Sequence, residues 1–413
     1  MKRILLVVLC LLMLFVARSK AEPTLDKEAE AIAAADNALP VKVFEEPRAS
    51  APAKTSAPET LQPLSAASEL SASEETPLPE PERATVIAAG DMMCLYGQMV
   101  SARKKGKYDF NYCFEEIKKR VSAADIAVAN LETLIARGYG YSKQDLGPGN
   151  PKLNAPDEFL SAIAACGFDI MINANNHIFD YKTGGVEKTL AKIDEYGMMR
   201  TGAYAKGQQR APLIMDIRGI KIAVFGYAVN INGQPRGATM VDKYSEKLVS
   251  ADMKAAREQG ADFIIVYMHW GKQDTYIVTR DQKKQAKHIA NAGADIIIGS
   301  HPHRVQGVGS IKTEHGDVPV FYSLGNLISS ATLNTKRESA LVNIVIEKDS
   351  LTGETVIAAL TYIPTLCTST RAGRNIILPA SLEYISRSGK AKALLAARKR
   401  IIKVMGDAVA QPE

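Results

Sequence analysis

From Ala84 to Asn326 the chain repeats one pattern: a short apolar run, a polar cluster able to do chemistry, then a helical stretch. The β-rich runs are Thr85–Ala89, Ile126–Ala129, Phe168–Ile172, Ile220–Tyr227, Phe263–Met268, Ile296–Ile298 and Val318–Tyr322. Unbroken apolar runs of this length fit strands buried on both faces. Between them, Phe110–Ala123 has apolar residues at helical spacing. Pro156–Ala165 opens with Pro-Asp-Glu and closes at Gly167, a matched pair of helix start and stop signals. Gly185–Glu195 stops at Gly197, Lys247–Gln259 at Gly260 and Gln282–Ala292 at Gly293. Such alternation predicts an α/β domain. After Asn326 the texture becomes strand-rich, and Ala340–Glu347 and Thr355–Pro364 are expected to be antiparallel strands completing a second sheet. Gly389–Val404 reads as a closing amphipathic helix.

Ahead of this domain the composition is different. Met1-Lys2-Arg3 is followed by an unbroken apolar run from Ile4 to Ala17, then Arg18-Ser19-Lys20-Ala21. That order predicts export, by a signal peptide cleaved after Ala21 or by an uncleaved membrane anchor over residues 1–21. Residues 22–84 hold 9 of the 19 prolines and carry a net charge of −8. A stretch so poor in large apolar residues is expected to be a disordered Ala/Pro/Ser/Glu linker. The whole chain is +6 and residues 1–21 carry +4, so residues 85–413 carry +10, which favours an anionic partner. Cys94, Cys113, Cys166 and Cys367 have no ligand-like spacing and suggest no disulfide scaffold.

In α/β sheets ligands bind beyond the carboxyl ends of the strands. Reading those ends in order gives Gly90-Asp91-Met92-Met93, then Asn130-Leu131-Glu132, then Asn175-Asn176-His177 with Asp180. Further on come His269-Trp270-Gly271, Gly299-Ser300-His301-Pro302-His303 and Ser323-Leu324-Gly325-Asn326. Of six histidines, His177, His269, His301 and His303 lie at strand ends, which scattered core histidines would not respect. Carboxylate, amide and imidazole ligands together suit a divalent transition metal, Mn, Fe or Zn, as one ion or two. His-x-His on an extended segment would put both imidazoles on one side, and a carboxylate such as Glu132 could bridge a metal pair. Two metals roughly 3.5–4 Å apart would clamp a phosphoester and its attacking hydroxide.

These motifs, in this order over residues 84 to 330, resemble the bacterial capsule-synthesis (CapA, poly-γ-glutamate synthesis) family, related to calcineurin-like metallophosphoesterases. The resemblance implies a four-layer α/β/β/α sandwich of the metallophosphoesterase type over residues 85–413. It implies that Asp91 and His303 ligate a first metal, that Glu132 bridges, and that Asn176, His269 and His301 ligate a second. His177 would be the general acid, with Asp180 fixing its tautomer. Asn130, Asn175 and Asn326 are candidates to meet substrate. Met93 stands where phosphoesterases usually have a histidine, which weakens the first metal site, and Gln273 stands where CapA-like chains commonly have an acid.

Two functional readings follow. One is an exported or membrane-anchored capsule or poly-γ-glutamate biosynthesis protein at the cell envelope, binding an anionic polymer beside a membrane synthase complex. The other is a metal-dependent hydrolase of a phosphorylated or polymer-linked substrate. A nucleic-acid module is disfavoured by export and by aromatics of 6% with no aromatic–basic interleave.

Overall fold

The computed structural model describes residues 80–143, 151–331, 334–371 and 373–413. The expected signal or anchor, and nearly all of the expected linker, lie outside the described residues. β1 already begins at Glu82, so the last residues assigned to the linker are strand. Among the described residues no helix is long and apolar enough to cross a membrane.

The first half runs β1 (Glu82–Met92), α1 (Tyr96–Ala102), a small hairpin of β2 (Arg103–Lys104) and β3 (Lys107–Tyr108), α2 (Glu115–Val121) and β4 (Ile126–Leu131). It continues with α3 (Asp157–Cys166), β5 (Ile170–Ile172), α4 (Lys182–Glu195), β6 (Met199–Thr201), β7 (Leu213–Ile217) and β8 (Ile220–Ala228). Then come α5 (Glu246–Glu258), β9 (Phe263–His269), α6 (Arg280–Asn291), β10 (Ile296–Ser300), β11 (Val308–Thr313), β12 (Gly316–Phe321) and β13 (Asn326–Ile328). The chain ends with β14 (Glu338–Lys348), β15 (Thr355–Ser369), β16 (Asn375–Pro379), α7 (Leu382–Arg387), α8 (Ala391–Met405) and β17 (Gln411–Pro412).

Local signals account for many boundaries. Pro156 caps α3, Asp157 and Glu158 fill its first turn, and Gly167 ends it at φ 103°. Because that turn takes up Phe168 and Asp169, β5 is shorter than the apolar run. Phe110–Ala123 divides into a 3₁₀ turn at Asn111–Cys113 and α2. Thr279 and Gln282 form a reciprocal capping box that starts α6.

The strands form two sheets, ordered β16-β15-β14-β1-β4-β5-β6 and β11-β12-β10-β9-β8-β7. Alternate residues of β1, β4 and β5 (Ala89, Ala129, Met171) pack with Val121, Ile163 and Leu190 of the helices α2 to α4. In the second sheet Phe225, Val266 and Ile297 pack with Met253 and Ile289 of α5 and α6. The opposite residues, such as Val128, Ile172, Val224 and Tyr267, are buried between the sheets. There Tyr267 Oη donates to Val128 O at 3.1 Å. The result is the expected four-layer α/β/β/α sandwich.

One expectation is corrected. The strands after Asn326 do not complete the second sheet; they widen the first, with β14 antiparallel to β1 from Glu82↔Lys348 to Ala88↔Val342. The chain crosses between sheets at residues 322–326. Leu324 N donates to Gly299 O, and Gly325 O accepts from Asp91 N. A Cβ on Gly90 would sit 2.1 Å from Gly325 O, and one on Gly299 2.0 Å from Tyr322 O. Glycine at both positions is therefore a requirement of this crossing. Cys94, Cys113, Cys166 and Cys367 are buried and unpaired.

Candidate metal centre

The carboxyl ends of the parallel strands bring the polar motifs to one place between the sheets. Asp91 lies near the end of β1, Glu132 just past β4, Asn176 past β5, His269 at the end of β9, and His301 and His303 past β10. All are buried; the most exposed, His301, shows 8% of its surface. Their ligand atoms form two groups that share Glu132. One comprises Glu132, His269 and His301; the other Asp91, Glu132 and His303.

In the first group His269 Nε2 stands 3.0 Å from His301 Nδ1, 3.0 Å from Asn176 Oδ1 and 3.6 Å from Glu132 Oε1. Ligands of one small divalent cation at about 2.0–2.2 Å are roughly 3.0–3.6 Å from one another, so these spacings fit. His269 Nδ1 is 3.0 Å from Ser300 Oγ. A proton there directs the lone pair of Nε2 toward the group. In the second group His303 Nδ1 is 3.8 Å from both Asp91 Oδ2 and Glu132 Oε2. The same nitrogen is 3.0 Å from Asn326 Oδ1, so ligation through Nδ1 requires it to leave that amide.

Electrostatics point the same way. Burial pushes the Asp91 carboxyl up to about 6, against hydrogen bonds from Asn130 Nδ2 and His301 N that pull it down. Burial, then the charges of Asp91 and Asp180, push Glu132 well above the carboxylate range. Among the described residues both Glu132 oxygens lack a hydrogen-bond donor, and the contact with Asp91 can be one only through a shared proton. Burial and the neighbouring imidazoles depress His269 well below its ordinary value and His301 to about 3; burial also takes His303 to about 4. Neutral imidazoles are ligands ready to bind. Among the described residues no lysine or arginine pairs with Asp91 or Glu132, so two buried carboxyls meet three neutral rings. A divalent cation is the group this donor set fits.

The His-x-His geometry needs a correction. Residues 301–304 are a bend, and His301 and His303 have left-handed φ of 95° and 56°. Extended-chain alternation does not aim the rings; the bend does, held by His301 N on Asp91 Oδ2. Non-glycine residues in such conformations cost about 1–3 kcal/mol each, and they cluster at sites where function requires them.

The three amides expected to meet substrate are hydrogen-bonded to other site residues. Asn130 Nδ2 donates to Asp91 Oδ1 at 2.7 Å. Asn175 Nδ2 donates to Asn130 Oδ1 and Leu131 O, and Asn175 Oδ1 accepts from His177 N. Asn326 faces His303 and donates to Lys336 O. His177 Nδ1 is 2.7 Å from Asp180 Oδ2, the pairing expected of them. Met93 is buried in an apolar cluster with Leu95 and Leu153. Gln273 Nε2 is 3.4 Å from His303 Nε2.

A cavity of about 680 Å³ opens beside Asn176 and His301, with Asn232, Lys243, Lys272 and Gln273 on its wall. Motif reading missed this wall. Lys272 follows His269-Trp270-Gly271 directly and could have been found there; Lys243 lies in no motif.

Residues 85–331 match the family described as bacterial capsule synthesis protein PGA_cap. The chain is 28% identical over 273 residues to a capsule biosynthesis protein CapA of Bacillus anthracis, covering 64% of each chain. It is 27% identical over 266 residues to a PGA biosynthesis protein CapA of Bacillus subtilis (strain 168), covering 62% of this chain and 66% of that one. The match thus spans slightly under two thirds of either relative. A solved calcineurin-like phosphoesterase, YfkN from Bacillus subtilis, aligns with 78% of this chain and 97% of its own at 14% identity, with a TM-score of 0.43. With the family match covering more than half of its length, this chain belongs to the bacterial capsule synthesis protein PGA_cap family.

Proposed function

We propose that this chain is an exported cell-envelope protein of capsule or poly-γ-glutamate assembly whose two ligand groups hold divalent cations and, through them, an anionic group of the polymer or its precursor. The observation that carries this reading is Glu132: buried, shared by both groups and lacking a hydrogen-bond donor. The apolar run at Ile4–Ala17 supports export, with a membrane synthase as the partner. Asp91, Glu132 and His303 would hold one cation; Glu132, His269, His301 and Asn176 the other. When bound, such cations supply positive charge to a developing or resident anion. Asn130 holds Asp91, Ser300 holds His269, and the two sheets exclude water from the carboxylates.

A second reading, metal-dependent hydrolysis of a phosphorylated or polymer-linked substrate, is favoured by the His177–Asp180 pair. With Nδ1 engaged by Asp180, Nε2 is the ring nitrogen of His177 left to exchange a proton with a leaving group. Asn175 fixes the backbone of His177 for that role.

The test is cation content by mass spectrometry on the full chain purified without chelator, beside Glu132→Gln. Bound cation in the parent and loss in the variant are expected; a parent that retains none under supplied Mn, Fe or Zn would sink the reading. For hydrolysis, the loaded protein is assayed on a phosphoester set beside His177→Ala. A fall of about 10²–10⁴ in turnover at unchanged cation content is expected; no turnover by the parent leaves the binding role.

A further inference from the structure

The cavity beside His301 is lined by donors and by no carboxylate. Lys243 and Lys272 are exposed on its wall, and among the described residues neither forms an ion pair or a side-chain hydrogen bond. Asn232 Nδ2 is a buried donor without a partner, while Asn232 N donates to Asn176 O. One wall is therefore tied to a candidate cation ligand.

Lys243 stands on backbone tied down by hydrogen bonds, and Lys272 on the segment that follows β9. Lys243 follows Asp242, whose carboxylate is held by Arg210 and by Tyr204 Oη at 2.9 Å. The main chain around it is bound to β8: Ala228 N donates to Asp242 O, and Tyr244 N to Ala228 O. Lys272 lies three residues past His269, beside Gln273, which contacts His303. Two ammonium groups beside a candidate cation site favour a ligand with more than one negative charge.

We propose that this cavity is a second anion subsite, in which Lys243 and Lys272 hold one anionic group of a ligand while its neighbouring anionic group meets the cation centre. The subsite rests on the proposed cation centre and adds the side chains that would hold a second anionic group of the same chain, which a lone phosphate does not have.

The test titrates the metal-loaded full chain with a γ-linked glutamate decamer and, separately, with inorganic phosphate. The parent is compared with Lys243→Gln, Lys272→Gln and the double variant, with cation content measured on each. The expected result is a loss of at least about tenfold in decamer affinity in the double variant, with a shallower salt dependence and unchanged cation content. Phosphate affinity should change far less. Equal decamer affinity in parent and double variant overturns the subsite, as does a cation-loaded parent that ignores the decamer; both leave the cation centre standing. Decamer binding that depends on the lysines in a parent without cation would keep the anion subsite and overturn the cation centre instead.

Discussion

Two buried clusters in this molecule each hold a pair of carboxylates, and they are built in opposite ways. In the first, Arg210 lies between Asp242 and Asp252, with Tyr204 and Tyr227 donating to the same carboxylates. Every charge there has a partner supplied by the chain. In the second, Asp91 and Glu132 face His269, His301 and His303, rings held neutral by burial. Taking carboxylates out of water without a counter-charge is costly. The first cluster is complete as folded; the second calls for charge from outside. The clusters also cooperate, because Arg210 fixes the segment that carries Lys243 to the cavity.

The comparison is broken most forcefully at Arg210. Arg210→Met should destabilise the fold by about 3–5 kcal/mol, since it leaves two carboxylates without their cation. Urea unfolding measures this, and a change under about 1 kcal/mol would show that the carboxylates are not charge-compensated by Arg210. At the other cluster the sign should reverse. In chelator-treated protein, Glu132→Gln removes an unpartnered acid and should raise stability by about 1–3 kcal/mol, while abolishing cation binding. Destabilisation in the metal-free state would contradict the contrast.

Acidity sharpens the comparison further. Asp91 is raised to about 6 and Glu132 is raised as well, so the metal-free site takes up protons as pH falls through that value. His301 and His303, at about 3 and about 4, stay neutral over the same window. Cation affinity should thus fall by roughly tenfold or more per unit below pH 6, with protons released on binding. Calorimetry in buffers of different ionisation enthalpy would detect that release; a flat profile from pH 7 to 5 would exclude it. The smallest expected effect is at Ser300. Ser300→Ala frees His269 Nδ1 and should lower cation affinity roughly tenfold. Equilibrium dialysis would measure it, with the unfolding midpoint nearly unchanged.

The residues that converge were legible as candidate ligands because each sits at or shortly after the end of an apolar run, and that position can be read from local sequence. Asp91, Glu132, Asn176, His269, His301 and His303 all converge in the structure. Ser300 was invisible as a partner of His269 because the contact joins neighbouring strands β9 and β10. The hydrogen bonds that Asn130, Asn175 and Asn326 make to other site residues were invisible, since an amide at a strand end looks the same whether it faces a ligand or another side chain. The strands after Asn326 were assigned to the wrong sheet because strand pairing is a long-range choice.

By itself the sequence determined the alternation of buried strands and helices and the strand ends that carry chemistry. Periodicity and turn chemistry are local properties, so they survive without a fold. Which sheet received β14 to β16, the left-handed backbone that aims His301 and His303, and the placing of Lys243 and Lys272 on one cavity were decided by tertiary structure. Each depends on backbone hydrogen bonds between segments far apart in the chain, and no local pattern encodes those partners.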